Sequence, residues 1–242
     1  MLIQDHFVGT FYDVVKASNS FNMDDVQYTV IYVDSPATFE IRLRSFGDTG
    51  KNVILINCYG HLSLQDVDIA KQHKFFIIDS RRPFHLDNVF ANNCSILTYS
   101  NEIASWNLPT IDQIYMESDS SDGEDDYGED RDLMVQQRII KNAAKAEWSR
   151  KRKDIHWDYY SQTWYSIPSA VLLLELAHSM GKSNANFAWC AAVALSSQFT
   201  DSLISFHQYA SICTDNMKQF VGKYGQKQKS CGDLMTITFD EE

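Results

Sequence analysis

The stretch KFFIIDSRRPFHLDNVF, Lys74 to Phe90, gathers groups that can do chemistry. Four apolar residues run into Asp79, followed by Arg81, Arg82 and a proline. A carboxylate at the carboxyl end of a buried strand can hold a divalent cation, and adjacent guanidinium groups can clamp a phosphate. Open α/β sheets bind their ligands at such tips. Metal-assisted hydrolysis of a phosphoester, however, needs several carboxylates or imidazoles converging on one or two ions. Asp79 is the one clear ligand. The preceding apolar run, within ILINCYGH, ends in Asn57 and Cys58 where an acid would be needed. His61 and His85 can approach, but no spacing requires it. The competing reading is structural: Asp79 pairs with Arg81 or Arg82 and caps the following turn.

Three other stretches carry reactive residue types. In DIHWD, Asp154 and Asp158 share a helix face at i and i+4, while His156 points elsewhere, so a solvated helix face is expected. HSMGKS ends like a phosphate-binding loop, but Leu176 stands where that motif needs glycine, and a helix precedes it; it reads as a helix C-terminus. KNAAKAEWSRKRKD places Arg150, Lys151, Arg152 and Lys153 in one basic helix near Trp148, Trp157, Tyr159 and Tyr160. Charge with interleaved aromatics can grip single-stranded nucleic acid. The same helix also reads as a solvated partner of the acidic segment before it, or as a nuclear-import signal. No GxSxG elbow or Cys–His nucleophile pair is present.

The elements that must position these groups alternate in type. VILIN and FFIID are short and apolar throughout, as strands covered on both faces are. VQYTVIYV (Val26–Val33) is a third strand and SILTYS (Ser95–Ser100) a fourth. Helices are expected over Phe7–Ala17, Thr38–Phe46, Leu62–Ala70 and Leu86–Phe90. The fold class is therefore α/β: a mainly parallel sheet flanked by helices. Residues 1–115 form this α/β region. Residues 116–132 form an acidic insert: nine acids and one arginine between Glu117 and Asp132 give a local charge of −8. That leaves −3 of the total −11 for the rest. Such a segment cannot offset its ordering entropy and is expected to be disordered. Ser121, followed three residues later by Glu124, fits an acidophilic kinase. Residues 133–242 are a helical continuation ending in a strand, Leu234–Phe239. It opens with a helix over Leu133–Tyr160, whose apolar face is expected to be Ile139, Ile140, Ala143, Ala144 and Trp148. Helices over PSAVLLLELAHSM, ANFAWCAAVALSSQF and LISFHQYASICTDNMKQFV follow.

The five cysteines are scattered without CxxC spacing, which suits reduced thiols in a cytosolic or nuclear compartment. The N-terminus lacks a signal-peptide core, and the longest apolar run, Phe187–Leu195, is about half of what a membrane span needs. A soluble intracellular protein is expected, with no membrane partner.

The set FYDVV, DDVQYTVIYV, VILINCYGHLSLQDV, FFIIDSRRPFHLDNVF, the acidic run, EWSRKRKDIHWDYY, PSAVLLLELA and FAWCAAVALSSQFTD resembles, in this order, the eukaryotic cell division control protein 45 family. The resemblance implies a DHH-phosphoesterase-like fold related to bacterial single-strand exonucleases, in a member that has lost its catalytic groups. It implies a non-catalytic DNA replication initiation factor in the nucleus. Such a protein is a scaffold subunit of the replicative helicase with the minichromosome maintenance ring and GINS, meeting origin-firing factors and single-stranded DNA. The superfamily's DHH triplet falls on Asp79, Ser80 and Arg81, so Asp79 is a vestigial ligand and both imidazoles are gone. Asn57 stands near the place of a metal-binding aspartate, and Asp201 is the sole acid of the last motif. No catalytic residue, metal or cofactor is expected. Arg81, Arg82, Arg150, Lys151, Arg152 and Lys153 are the candidate DNA contacts. The alternative is a metal-dependent phosphoesterase or single-strand exonuclease using Asp79. Two departures are expected: the family's first strand–helix unit, near Ser18–Phe21, is missing, and the chain stops where the family continues.

Overall fold

The computed structural model describes residues 2–4, 29–47, 49–115 and 131–225. The chain divides into two compact units, one joining Met1–Tyr99 to Trp164–Glu242 and the other comprising Ser100–Thr163.

The first unit opens with β1 (Leu2–Gln4), β2 (Ile31–Val33), α1 (Pro36–Arg44), β3 (Asn52–Ile56), β4 (Lys74–Ile78), β5 (Arg81–Arg82), α2 (Leu86–Phe90) and β6 (Cys94–Ile96). Five of these strands form a parallel sheet in the order β2-β1-β3-β4-β6. The expected architecture, a mainly parallel sheet flanked by helices, is the one observed. β3 and β4 pair from Asn52↔Lys74 to Ile56↔Ile78, with Val53, Leu55, Ile56, Phe75, Ile77 and Ile78 all buried. β1, which the sequence reading did not anticipate, lies between β2 and β3 and pairs with both. Three residues are too few to show an alternation.

α1 starts two residues before the expected Thr38, because Ser35 caps it: the Ser35 hydroxyl accepts from the Thr38 amide at 3.2 Å, with Pro36 in the first turn. The helix expected over Leu62–Ala70 does not form; a short 3₁₀ turn over Asp68–Gln72 is all that appears. Asn88 explains why. Its buried amide takes the Leu64 N–H at 2.9 Å and donates to the carbonyls of Tyr59 (3.1 Å) and Leu62 (2.7 Å). Backbone groups satisfied by a side chain have no need of a helical ladder.

The second unit holds α3 (Ser100–Ile103), α4 (Ile111–Ile114) and α5 (Arg131–Ser161). α5 runs 31 residues without glycine or proline, close to its expected limits. Its apolar face is not where the spacing put it. Ile139 and Ile140 are 62% and 68% exposed, and Ala143 and Ala144 are exposed as well. Helical spacing marks a shared face but not what covers it.

The chain re-enters the first unit through β7 (Trp164–Tyr165), α6 (Ser169–Ser179), α7 (Ala185–Thr200) and α8 (Phe206–Ile212), ending with α9 (Lys218–Tyr224). Gly181, at φ +72°, stops α6: its N–H reaches the His178 carbonyl, and that of Lys182 reaches Ala177. The Gly181 and Lys182 amides of the GKS stretch are thus spent on a helix end. The helix expected over the last stretch is split by a widened π turn at Cys213–Met217, from which Asn216 donates to Tyr99 Oη (3.1 Å) and Glu175 Oε1 (2.9 Å). Val171, Leu174 and Ala177 of α6 pack with Ala188, Ala191 and Leu195 of α7 and Phe220 of α9. Leu172 and Leu173 pack with Ile56 and Ile78, which fixes α6 to the sheet.

The expected helix over Phe7–Ala17, the Ser18–Phe21 region, the acidic insert with Ser121 and the strand Leu234–Phe239 lie outside the described residues. Among the described residues no helix is long and apolar enough to cross a membrane.

Candidate functional site

Asp79 follows β4 directly and is 4% exposed. Its Oδ1 accepts the Arg81 N–H at 2.9 Å, and the Ser80 amide also bonds to the carboxylate. Burial pushes its pKa above the usual carboxylate range, against the opposing pull of those amides and of the Arg81 and Arg82 charges. Gly60 lies against it: a Cβ there would sit 2.9 Å from Asp79 Oδ2 and 3.1 Å from the Phe84 ring. The backbone can lie this close because position 60 carries no side chain.

Arg82 is 1% exposed. Its Nη1 donates to the backbone carbonyls of Asp79 (2.6 Å) and Arg81 (3.0 Å). The guanidinium carbon lies 4.3 Å from the centre of the Phe84 ring and 5.9 Å from that of Trp164. This burial removes Arg82 from the candidate DNA contacts; Arg81 remains partly exposed. Behind them, β5 pairs antiparallel with β7, Arg82 opposite Trp164, and the Ser166 amide reaches the Ser80 carbonyl at 2.8 Å. The structural task read for Asp79 is visible as a turn cap, with Arg82 bonding to the carbonyls of the same turn.

Asn57, at the neighbouring tip, has φ +50°. Its N–H bonds to the Ile78 carbonyl at 2.8 Å, and its Oδ1 accepts from the Ser169 hydroxyl at 2.5 Å. His61 lies near Arg81 and His85: burial first, then the electrostatic influence of Arg81 and of His85, depress its pKa. His85 is the N-cap of α2 and lies 3.5 Å from the Asp87 carboxylate, which in turn accepts from Ser63. Asp201 caps the end of α7 and accepts from Ser197. Among the described residues no group of three or more His, Cys, Asp or Glu side chains is placed to hold a metal ion. Gly60, Asn88, Trp164 and Ser169 were not singled out from the sequence; their contacts span 19 to 112 positions, beyond any local pattern.

On α5, Arg150, Lys151, Arg152 and Lys153 are all exposed. Lys151 pairs with Glu147 at 2.8 Å, while the Arg152 guanidinium lies 5.6 Å from the Trp148 ring centre. Arg152 and Lys153 line a cavity together with His156, Trp157 and Tyr160, and neither Arg150 nor Lys151 belongs to that lining. Asp154 and Asp158 are exposed to solvent, as read from the sequence.

The fold and this tip define a class: a parallel α/β protein with a buried strand-end carboxylate bonded into its own turn. The family model CDC45 matches residues 18–138 and 112–233, so the chain belongs to the CDC45 family, as the resemblance indicated. The Cell division control protein 45 homolog of Mus musculus is 27% identical over 228 residues, covering 90% of this chain and 40% of the mouse protein. That of Homo sapiens is 26% identical over 202 residues, covering 79% and 36%. The chain thus spans about 40% of the length of these relatives. The crystal structure of CDC45 from Entamoeba histolytica shares the fold, with a TM-score of 0.57 at 18% identity over 92% of this chain and 33% of that one.

Proposed function

We propose that this chain is a non-catalytic DNA replication initiation factor that works in the nucleus as a scaffold. Its partners in this reading are the minichromosome maintenance ring, GINS and origin-firing factors. Single-stranded DNA would meet Arg81 and the basic helix at Arg150, Lys151, Arg152 and Lys153. The observation that carries the reading is the family match from residue 18 to residue 233. The strand tip supports it chemically: a ligating carboxylate must be ionised, whereas the setting of Asp79 favours the protonated form.

The test is co-purification of the tagged full chain from replicating nuclei. Association with the ring and GINS during DNA synthesis is the expected result, and its absence from chromatin and from both partners would overturn the reading. Manganese-dependent release of nucleotides from labelled single-stranded DNA, abolished by Asp79→Ala, would put the phosphoesterase in its place.

A further inference from the structure

All the described side chains from Gln136 to Glu147 on α5 are exposed, and full burial is reached only near the far end of the helix, at Tyr159. Helices in proteins gain most of their stability from an apolar face that something covers. Here Ile139 and Ile140 lie in water, and so do Ala143, Ala144 and Ala146. Phosphate contacts would satisfy the cations of this helix and leave the isoleucines as they are.

The residue types divide around the helix. Ile139, Ile140, Ala143 and Ala146 fall within about a third of its circumference, and Arg138, Lys141, Lys145 and Arg152 fall opposite. Half-buried Trp148 sits on the cationic side, its ring centre 5.6 Å from the Arg152 guanidinium. Ile139 and Trp148 are nine residues apart, so they project from opposite sides, offset by about 13.5 Å along the axis. A flat surface can cover one of them; a partner that closes round the helix covers both. The walls of such a partner must be acidic. Between Arg138 and Lys153 stand seven lysines and arginines and one acid, Glu147, which is paired with Lys151 at 2.8 Å. A basic amphipathic helix exposed on all sides fits recognition in the acidic, methionine-lined grooves of calcium-loaded EF-hand sensors. Methionine side chains let those grooves close over varied apolar anchors.

We propose that residues 138–153 of α5 are a docking helix for a calcium-loaded EF-hand sensor. One lobe takes Ile139 and Ala143, the other takes Trp148, and the cations meet the acidic rim of each groove. Docking depends on calcium because the ion opens the grooves of the sensor. A membrane surface, the other common partner of basic amphipathic helices, covers a single face and would leave either Ile139 or Trp148 in water. The proposal goes beyond the replication reading and stands without it, since docking to this chain requires no replication partner.

The experiment titrates dansyl-labelled calmodulin with the full chain, in calcium and again in excess EGTA. A Kd below about 1 μM in calcium, weakened by about a hundred-fold or more in EGTA, is expected. Ile139→Ser and Trp148→Ala should each weaken binding by about ten-fold, Trp148→Phe should recover most of the loss, and Lys182→Gln, outside α5, should leave it unchanged. These side chains are exposed or half-buried, so each variant should keep the helical content of the unaltered chain by circular dichroism. A blue shift of tryptophan emission on adding the sensor, reduced in Trp148→Phe, reports the covering of that ring directly. Absence of calcium-dependent binding, or undiminished binding by Ile139→Ser combined with Trp148→Ala, would overturn the proposal. Failure to bind the sensor together with Ile139-dependent binding to phosphatidylserine vesicles would also overturn it and assign the face to a membrane. The same failure together with a dimer in sedimentation that Ile139→Ser dissolves would overturn it in favour of a second copy of this chain.

Discussion

Asn88→Ala should be among the most damaging single changes in the first unit. Asn88 is 1% exposed and makes three close bonds: it accepts from Leu64 N–H and donates to the carbonyls of Tyr59 and Leu62. Removing the amide orphans a buried N–H, at about 1–3 kcal/mol, and takes the donor from two carbonyls. A loss of about 3–5 kcal/mol is expected, lowering the melting temperature by about 10 °C for a chain of this size. Asn93 is the control. It also bonds to backbone carbonyls, those of Ala70 and His73 at 3.2 Å each, but it is half-buried, and water can replace much of what Asn93→Ala removes. Its cost should be about 1 kcal/mol. Asn88→Asp keeps the acceptor for Leu64 but puts one oxygen, facing both carbonyls, where the amide nitrogen donates to them. It should be at least as unstable as the alanine variant at neutral pH and improve as the carboxyl is protonated. Urea unfolding followed by circular dichroism measures all three. A loss below about 1 kcal/mol for Asn88→Ala would refute the argument that this amide replaces the helix expected over Leu62–Ala70.

Asp79→Asn should change the pH dependence of stability more than its size at low pH. The native carboxyl titrates above its ordinary 3.8, so its contribution is present below that value and is lost as pH rises through the native pKa. The stability of the native protein relative to Asp79→Asn should therefore fall with rising pH above 3.8; a rising difference in parallel urea melts would contradict this. Arg81→Gln should move the NMR titration of His61 upward, because a neighbouring cation is gone, yet leave it below 6.5, because burial is the larger cause. Gly181→Ala should cost about 1 kcal/mol by chemical denaturation: no atom lies within 4 Å of the added Cβ, so the left-handed backbone is the whole effect. Gly181→Asn should cost less.

The parallel sheet was legible because β3 and β4 are unbroken apolar runs, which suit strands buried on both faces. The turn cap at Asp79 was legible as one of two readings, because its bond to Arg81 spans two residues. Other features depend on partners far away in the chain. The hydroxyl that occupies Asn57 belongs to Ser169, 112 positions on, and the ladder holding Arg82 comes from Trp164 and Tyr165. Asn88 acts on residues 24 to 29 positions earlier and converts a stretch with helical spacing into a loop. In α5 the difficulty was of another kind: the helix length followed from composition, but the covered side did not, since Ile139 and Ile140 face solvent.

The strand tip keeps its shape for reasons that work against its being a cation site. Ligating carboxylates must shed their protons, and an arriving cation normally helps by lowering their pKa. Asp79 sits where burial does the reverse, with one oxygen taken by the Arg81 amide and the other close beneath Gly60. Asn57, one strand away, brings no charge, and its carbonyl oxygen already accepts from Ser169. The neighbouring groups that do carry charge, Arg81 and Arg82, are cations and would repel a metal ion. Arg82, buried against Phe84 and bonded to two carbonyls of the turn, cannot swing away without leaving those carbonyls and its own donors unpaired. Each bond that stabilises this turn thus removes a group that metal chemistry would need.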